Sequence, residues 1–139
     1  MPTAIVYKTR LGSTEKYAKW LQEEIEADLF QFDDCKGDQL NKYDTVIVMS
    51  GTYATIMPLG KYLKKNWSCL KGKKVFVIAV GAAPPESKNS KMGYNRIPRE
   101  IRDQIVYKKI IGFMGPEPEN PVKKENLHSI IQKIKQKQK

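Results

Sequence analysis

The chain has 139 residues, 40% of them apolar, which suits one domain with one buried core and gives no reason to expect a second. Nowhere does it reach the roughly 20 apolar residues of a membrane helix, and Met1-Pro2-Thr3-Ala4-Ile5 runs straight into strand-like sequence, so a cytoplasmic protein with neither secretory leader nor membrane span is expected. Twenty-five Lys and Arg against 15 Asp and Glu leave a formal charge of +10, and the excess lies after residue 59, where nineteen basic residues face six acidic ones. Such a half attracts phosphate or an acidic partner. Its lysines are scattered over surface positions without interleaved aromatics, which excludes a nucleic-acid-binding module. Cys35 and Cys69 form no CxxC and the single histidine, His128, sits in a helical pattern facing solvent, so neither a disulfide framework nor a metal site is expected.

In chain order, Ala4-Ile5-Val6-Tyr7 reads as a first strand, followed by a helix capped at Ser13 or Thr14 with an apolar face of Tyr17, Trp20, Leu21 and Ile25. Leu29 to Phe32 is a short second strand, Asp33 to Asp44 a polar loop, and Val46-Ile47-Val48-Met49 a continuous apolar run fit for a central strand. Leu59, Tyr62, Leu63, Trp67 and Leu70 mark the next helix, which gives both tryptophans a core role. Val75 to Val80 is the most strand-like segment. Gly81 to Arg96, rich in Pro, Ser, Lys, Asn and Gly, reads as a long binding loop. A helix carrying Ile97, Ile101 and Ile105, with Pro98 in its first turn, leads to a fifth strand at Ile110 to Met114. Leu127, Ile130, Ile131 and Ile134 give a closing amphipathic helix with a lysine-rich tail.

Strict alternation of buried strands and helices predicts a single α/β domain over residues 1–139, a doubly wound, three-layer fold with a five-stranded parallel sheet. Ligands of such folds bind at the carboxyl ends of the strands, beside the switch in strand order. That brings together Lys8 to Thr14, Ser50 to Pro58 and Gly81 to Arg96.

The first of these loops, Thr9-Arg10-Leu11-Gly12-Ser13-Thr14, joins a buried strand to a helix N-terminus and is built for an anion. Gly12 lets the backbone turn back, and a Cβ there is expected to crowd the turn. Successive amides and the helix dipole supply positive potential, and the hydroxyls of Thr9, Ser13 and Thr14 supply further donors, with Arg10 as an added charge. The loop is neither a Walker motif nor a GxGxxG turn.

Thr9 to Thr14 resembles the flavodoxin phosphate loop, T/S-x-T-G-x-T, with Thr9, Gly12 and Thr14 matching and Leu11 where a middle threonine is usual. Tyr43-Asp44 before a strand ending Met49-Ser50-Gly51-Thr52-Tyr53 is similar to the family's second flavin loop. The resemblance extends over nearly the whole chain, is to the short-chain type, and among branches is nearest the flavodoxin domains grouped with protoporphyrinogen oxidases. It implies strand order 2-1-3-4-5, FMN as cofactor, and a ring held by Gly51, Thr52, Tyr53 and Ala54 in the second loop and by Gly81, Ala82 and Tyr94 in the third. Tyr53 is the principal stacking candidate. Thr52 is also a candidate cap for the following helix.

The function expected is therefore electron transfer through a non-covalently bound flavin, by a monomer serving a redox partner protein that is acidic because this chain is basic. A carrier is expected rather than a dedicated enzyme, and no residue is assigned as catalytic. Two alternatives stand beside it: an interaction domain with weak or no flavin binding, since Leu11 removes a donor, and a protoporphyrinogen-oxidase-like flavoenzyme.

Overall fold

The computed structural model describes residues 2–9, 12–52, 57–112 and 122–138. Five strands, β1 (Thr3–Lys8), β2 (Asp28–Gln31), β3 (Thr45–Gly51), β4 (Lys74–Gly81) and β5 (Ile105–Ile111), form one sheet in the order β2-β1-β3-β4-β5. All four pairings are parallel. The helices are α1 (Ser13–Ile25), α2 (Pro58–Leu70), α3 (Lys88–Asn95), α4 (Arg99–Arg102) and α5 (His128–Gln138). This is the expected flavodoxin-like α/β architecture.

The period of two along each strand divides the apolar residues between two cores. Ala4, Val6, Val46, Val48, Val75 and Val77 face Leu59, Leu63 and Leu70 of α2, with Ile97 and Ile101. Ile5, Ile47, Met49, Phe76 and Ile78 face Tyr17 and Leu21 of α1 and Ile130 and Ile134 of α5. Every residue of β3 is buried, as a central strand covered on both sides requires. Trp20 and Trp67 are half-buried at the margins of the two cores, less enclosed than their helical positions suggest. His128 is exposed, as expected, and Cys35 and Cys69 are free.

Several boundaries differ from the sequence reading. The segment 81–96 is not one loop: β4 runs through Gly81, and Lys88–Asn95 is helical. Gly93 is the only residue of α3 that is buried, so the helix has no apolar stripe, and it starts because Ser87 Oγ accepts a hydrogen bond from Ser90 N–H at 3.1 Å. Ile105 belongs to β5, paired with Val75, and α4 ends at Arg102. The fifth strand therefore begins five residues earlier than Ile110; Phe113 and Met114 lie outside the described residues. Between β2 and β3, 3-10 turns at Phe32–Asp34 and Gly37–Lys42 bury Phe32 and Leu40 within a polar sequence.

Candidate functional site

Parallel pairing sets the ends of β1, β3, β4 and β5 along one rim, with Lys8 opposite Ser50, Gly51 opposite Val80 and Gly81 opposite Ile111. The strand order reverses between β1 and β3, so the rim there is the switch point.

At this point the chain leaves β1 and enters α1 through Gly12, which has φ 96° and ψ −15°. Gly12 N–H donates to Thr9 Oγ1 at 3.0 Å, which folds the loop onto itself, and Gly12 O accepts the first helical bond, from Lys16 N–H at 3.0 Å. A Cβ on Gly12 meets nothing within 4 Å. The expected crowding is therefore absent, and glycine is required by its left-handed backbone. As N-cap it has no side chain to offer the first-turn amides, whose N–H groups have no partner within the helix. Together with the helix dipole they form a ready anion site.

The hydroxyls are disposed less simply than the sequence suggests. Ser13 Oγ donates to Gly112 O at 3.0 Å, so its proton is turned away from the loop toward the end of β5. Thr9 Oγ1 accepts from Gly12. Thr14 is buried. Arg10 and Leu11 lie outside the described residues. In the first turn of α1, Glu15 accepts from Tyr7 Oη at 3.0 Å and pairs with Lys19 at 3.3 Å. The Tyr7 hydrogen bond first, and Lys19 after it, hold the Glu15 carboxyl below its usual value, while burial and then Glu15 push the Tyr7 phenol up.

In the second loop Thr52 N–H donates to Val80 O at 2.9 Å, fastening the end of β3 to β4. Thr52 does not cap α2. Its cap comes from buried Ser50, whose Oγ accepts from Leu59 N–H at 3.1 Å, a role the sequence reading missed although a serine eight residues before Pro58 leaves room for such a return. Tyr53 and Ala54 lie outside the described residues. Gly81 is buried against Thr52: a Cβ there would stand 1.9 Å from Thr52 Oγ1. Ala82, next to it, is exposed. The structure thus brings together Thr9, Gly12, Ser13, Thr14, Gly51, Thr52, Gly81 and Ala82 on one rim. It does not bring Tyr94 there. That ring lies in α3 against Tyr107, with centroids 4.7 Å apart, and under the Arg102 guanidinium at 5.4 Å. Tyr107 pairs with Val77, four residues short of the rim position of Gly81.

Beside the rim, Lys8, Lys36, Lys61 and Lys65 frame a recess of about 190 Å³ floored by Phe32 and Tyr62, with Asp33 the only acidic residue among the described ones that line it. No helix among the described residues is long and apolar enough to cross a membrane, and no metal-binding cluster occurs among them.

The sequence model of the flavodoxin domain matches residues 4–138. Among solved structures, a short-chain flavodoxin associated with a non-canonical PDU bacterial microcompartment is similar at 17% identity and a TM-score of 0.67, covering 99% of both chains. A flavodoxin from the domain Archaea is similar at 17% identity and 0.65, covering 95% of this chain and 92% of that one. Flavodoxin 2 from Bacillus cereus is similar at 21% identity and 0.62, covering 97% and 99%. No curated protein matches.

Proposed function

The chain belongs to the flavodoxin family, and from that premise we propose that it is an electron carrier that binds FMN without a covalent bond and works in the cytoplasm with an acidic redox partner. One observation carries the reading: the uncapped N-terminus of α1, entered through a left-handed Gly12, stands on the carboxyl rim at the switch point of the sheet. The residues present fit the cofactor. Thr9 Oγ1 and the amides from Gly12 to Glu15 would hold the phosphate, a near-dianion that needs several donors. Gly51, Thr52, Tyr53, Ala54, Gly81 and Ala82 would border the ring, Tyr53 stacking on its face. When bound, FMN supplies the electron-accepting group, and the protein's part is to orient it and shape its surroundings.

Titration of the purified chain with FMN and with riboflavin tests this directly. Tighter binding of FMN is expected, because only FMN engages the phosphate loop; equal affinities, or no binding of either, would refute it.

The four-lysine recess beside the rim favours an acidic partner, since it concentrates positive potential next to the proposed cofactor site. One observation favours weak flavin binding and a mainly interaction role: the Ser13 proton is committed to Gly112 O, which adds to the hydroxyl missing at Leu11. Placement in the protoporphyrinogen-oxidase branch rests on the Arg10-Leu11-Gly12-Ser13-Thr14 loop and the basic chain, and turnover of anaerobic porphyrinogen decides it.

A further inference from the structure

Between α3 and the outer edge of β5 lies a recess of about 390 Å³, distinct from the phosphate loop and walled by Pro85, Tyr94, Ile105 and Tyr107. At its end sits Lys109, only 7% exposed. Its Nζ donates to Ser90 Oγ at 2.7 Å. That hydroxyl already accepts from Ser87 Oγ at 3.0 Å and points its own proton at Ala83 O, 3.5 Å away. No carboxylate among the described residues lies within ion-pairing distance of Lys109. An ammonium has three hydrogens to give, and a buried cation with one neutral acceptor is costly unless an anion joins it. Burial holds this amine below its usual value, consistent with that cost.

We propose that this recess is a second ligand site, which takes a small flat aromatic monocarboxylate, its carboxylate on Lys109 Nζ and its ring against Tyr94 and Tyr107. The charge of the buried end selects an anion. The walls select a ring, because two tyrosines and two apolar side chains line the recess beside Lys109, the one buried charge among the described residues. Of the three lysines that line the recess, only Lys109 is buried, and one buried ammonium without a cluster of backbone amides matches a monocarboxylate better than a phosphate dianion. Lys91, exposed, and Lys108, half-buried, also line the recess and add attraction at longer range. The inference does not require a bound flavin, although Lys109 Cε stands 3.4 Å from where a Cβ on Gly81 would lie, so this recess borders the proposed ring site.

The test is a titration of the full chain with naphthoate and with the neutral naphthamide, followed by amide NMR shifts and calorimetry, with and without FMN. Naphthoate is expected to bind saturably, moving the resonances of Ser90, Lys91 and Tyr107, and naphthamide to bind at least about tenfold more weakly, the loss expected for one charge-assisted contact. Lys109→Met, which keeps an unbranched chain one atom shorter and removes the charge, should lose naphthoate affinity by a similar factor. If that variant fails to fold, the pH dependence of the wild type decides. Affinity must fall as pH rises through the titration of a Lys109 ammonium held below the usual 10.5, while naphthoate stays ionised. No saturable binding at millimolar naphthoate, equal binding of naphthamide, or affinity indifferent to both Lys109→Met and pH would each overturn the proposal.

Discussion

Replacing Gly12 with alanine separates the phosphate-loop reading from a purely architectural one. At φ 96° an L-residue is strained by about 1–2 kcal/mol. A Cβ there has no atom within 4 Å to strike, so the cost is one of backbone strain alone, which an unliganded variant escapes by letting residue 12 leave φ 96°. The penalty then falls on binding: the phosphate must draw the loop back to bring the amides of Ser13, Thr14 and Glu15 onto its oxygens. The expected loss is about 1–2 kcal/mol, or roughly five- to thirtyfold in the dissociation constant for FMN. Riboflavin, which has no phosphate, should lose less than about twofold. Gly12→Asn should fall between wild type and alanine, because asparagine tolerates positive φ better than other non-glycine residues. Quenching of flavin fluorescence measures all of these affinities. An unchanged constant for FMN, or an equal loss for FMN and riboflavin, would refute the assignment of this loop to the phosphate.

The other predictions concern the remaining parts of the rim and the charged surface. Tyr53→Ala should weaken flavin binding by about 1 kcal/mol and raise the fluorescence of the bound ring, whereas Tyr94→Ala should leave both unchanged. Gly81→Ala should destabilise the fold by about 1–3 kcal/mol through its 1.9 Å encounter with Thr52 Oγ1, and Thr52→Ala should recover much of that loss in a double-mutant cycle followed by urea unfolding. Glu15→Gln should cost about 0.5 kcal/mol near neutral pH. Because the Glu15 pKa is lowered on folding, its contribution is present above the usual 4.5 and disappears as pH falls through the folded value, so wild type and variant should converge in acid unfolding. Reversing Lys8, Lys61 and Lys65 to glutamate should slow electron transfer from an acidic donor and abolish its decrease with salt; an unchanged rate and salt dependence would show that this recess does not steer the partner.

The parts of the fold that were legible in the sequence are those whose physics is local or periodic. β1, β3 and β4 are covered on both faces and read as unbroken apolar runs, and α1 and α2 show stripes at three- and four-residue spacing. The start of β5 was hidden because Ile101 and Ile105 match a helical period as well as they match a turn followed by a strand, and Lys108-Lys109 interrupts the run that would have revealed it. α3 was hidden because its register is fixed by the Ser87 cap and by Tyr94 packing on Tyr107, neither of which leaves an apolar period. In the candidate site, the turn into α1 was visible because its glycine and hydroxyls are contiguous in sequence. The Ser50 cap and the Gly81–Thr52 approach were not, because each depends on residues that the parallel ladder brings together from different segments.

That ladder also explains how the ends of three loops are held on one rim. Past the paired strands, Thr52 N–H still reaches Val80 O, and Gly112 N–H reaches Gly81 O at 3.0 Å. The second continuation is possible because residue 112 is glycine: a Cβ there would stand 1.8 Å from Val80 Cγ1. Gly112 O then accepts from Ser13 Oγ, and Ile111 O from Tyr17 Oη at 2.6 Å, so the first turns of α1 are anchored on the last residues of the edge strand. The Ser13 hydroxyl, which the loop motif assigns to a phosphate, thus joins α1 to β5, which leaves the backbone amides and Thr9 as the proposed anion donors. The start of α1, on which the proposed phosphate site rests, is consequently held in part by an edge strand that contributes no residue to that site.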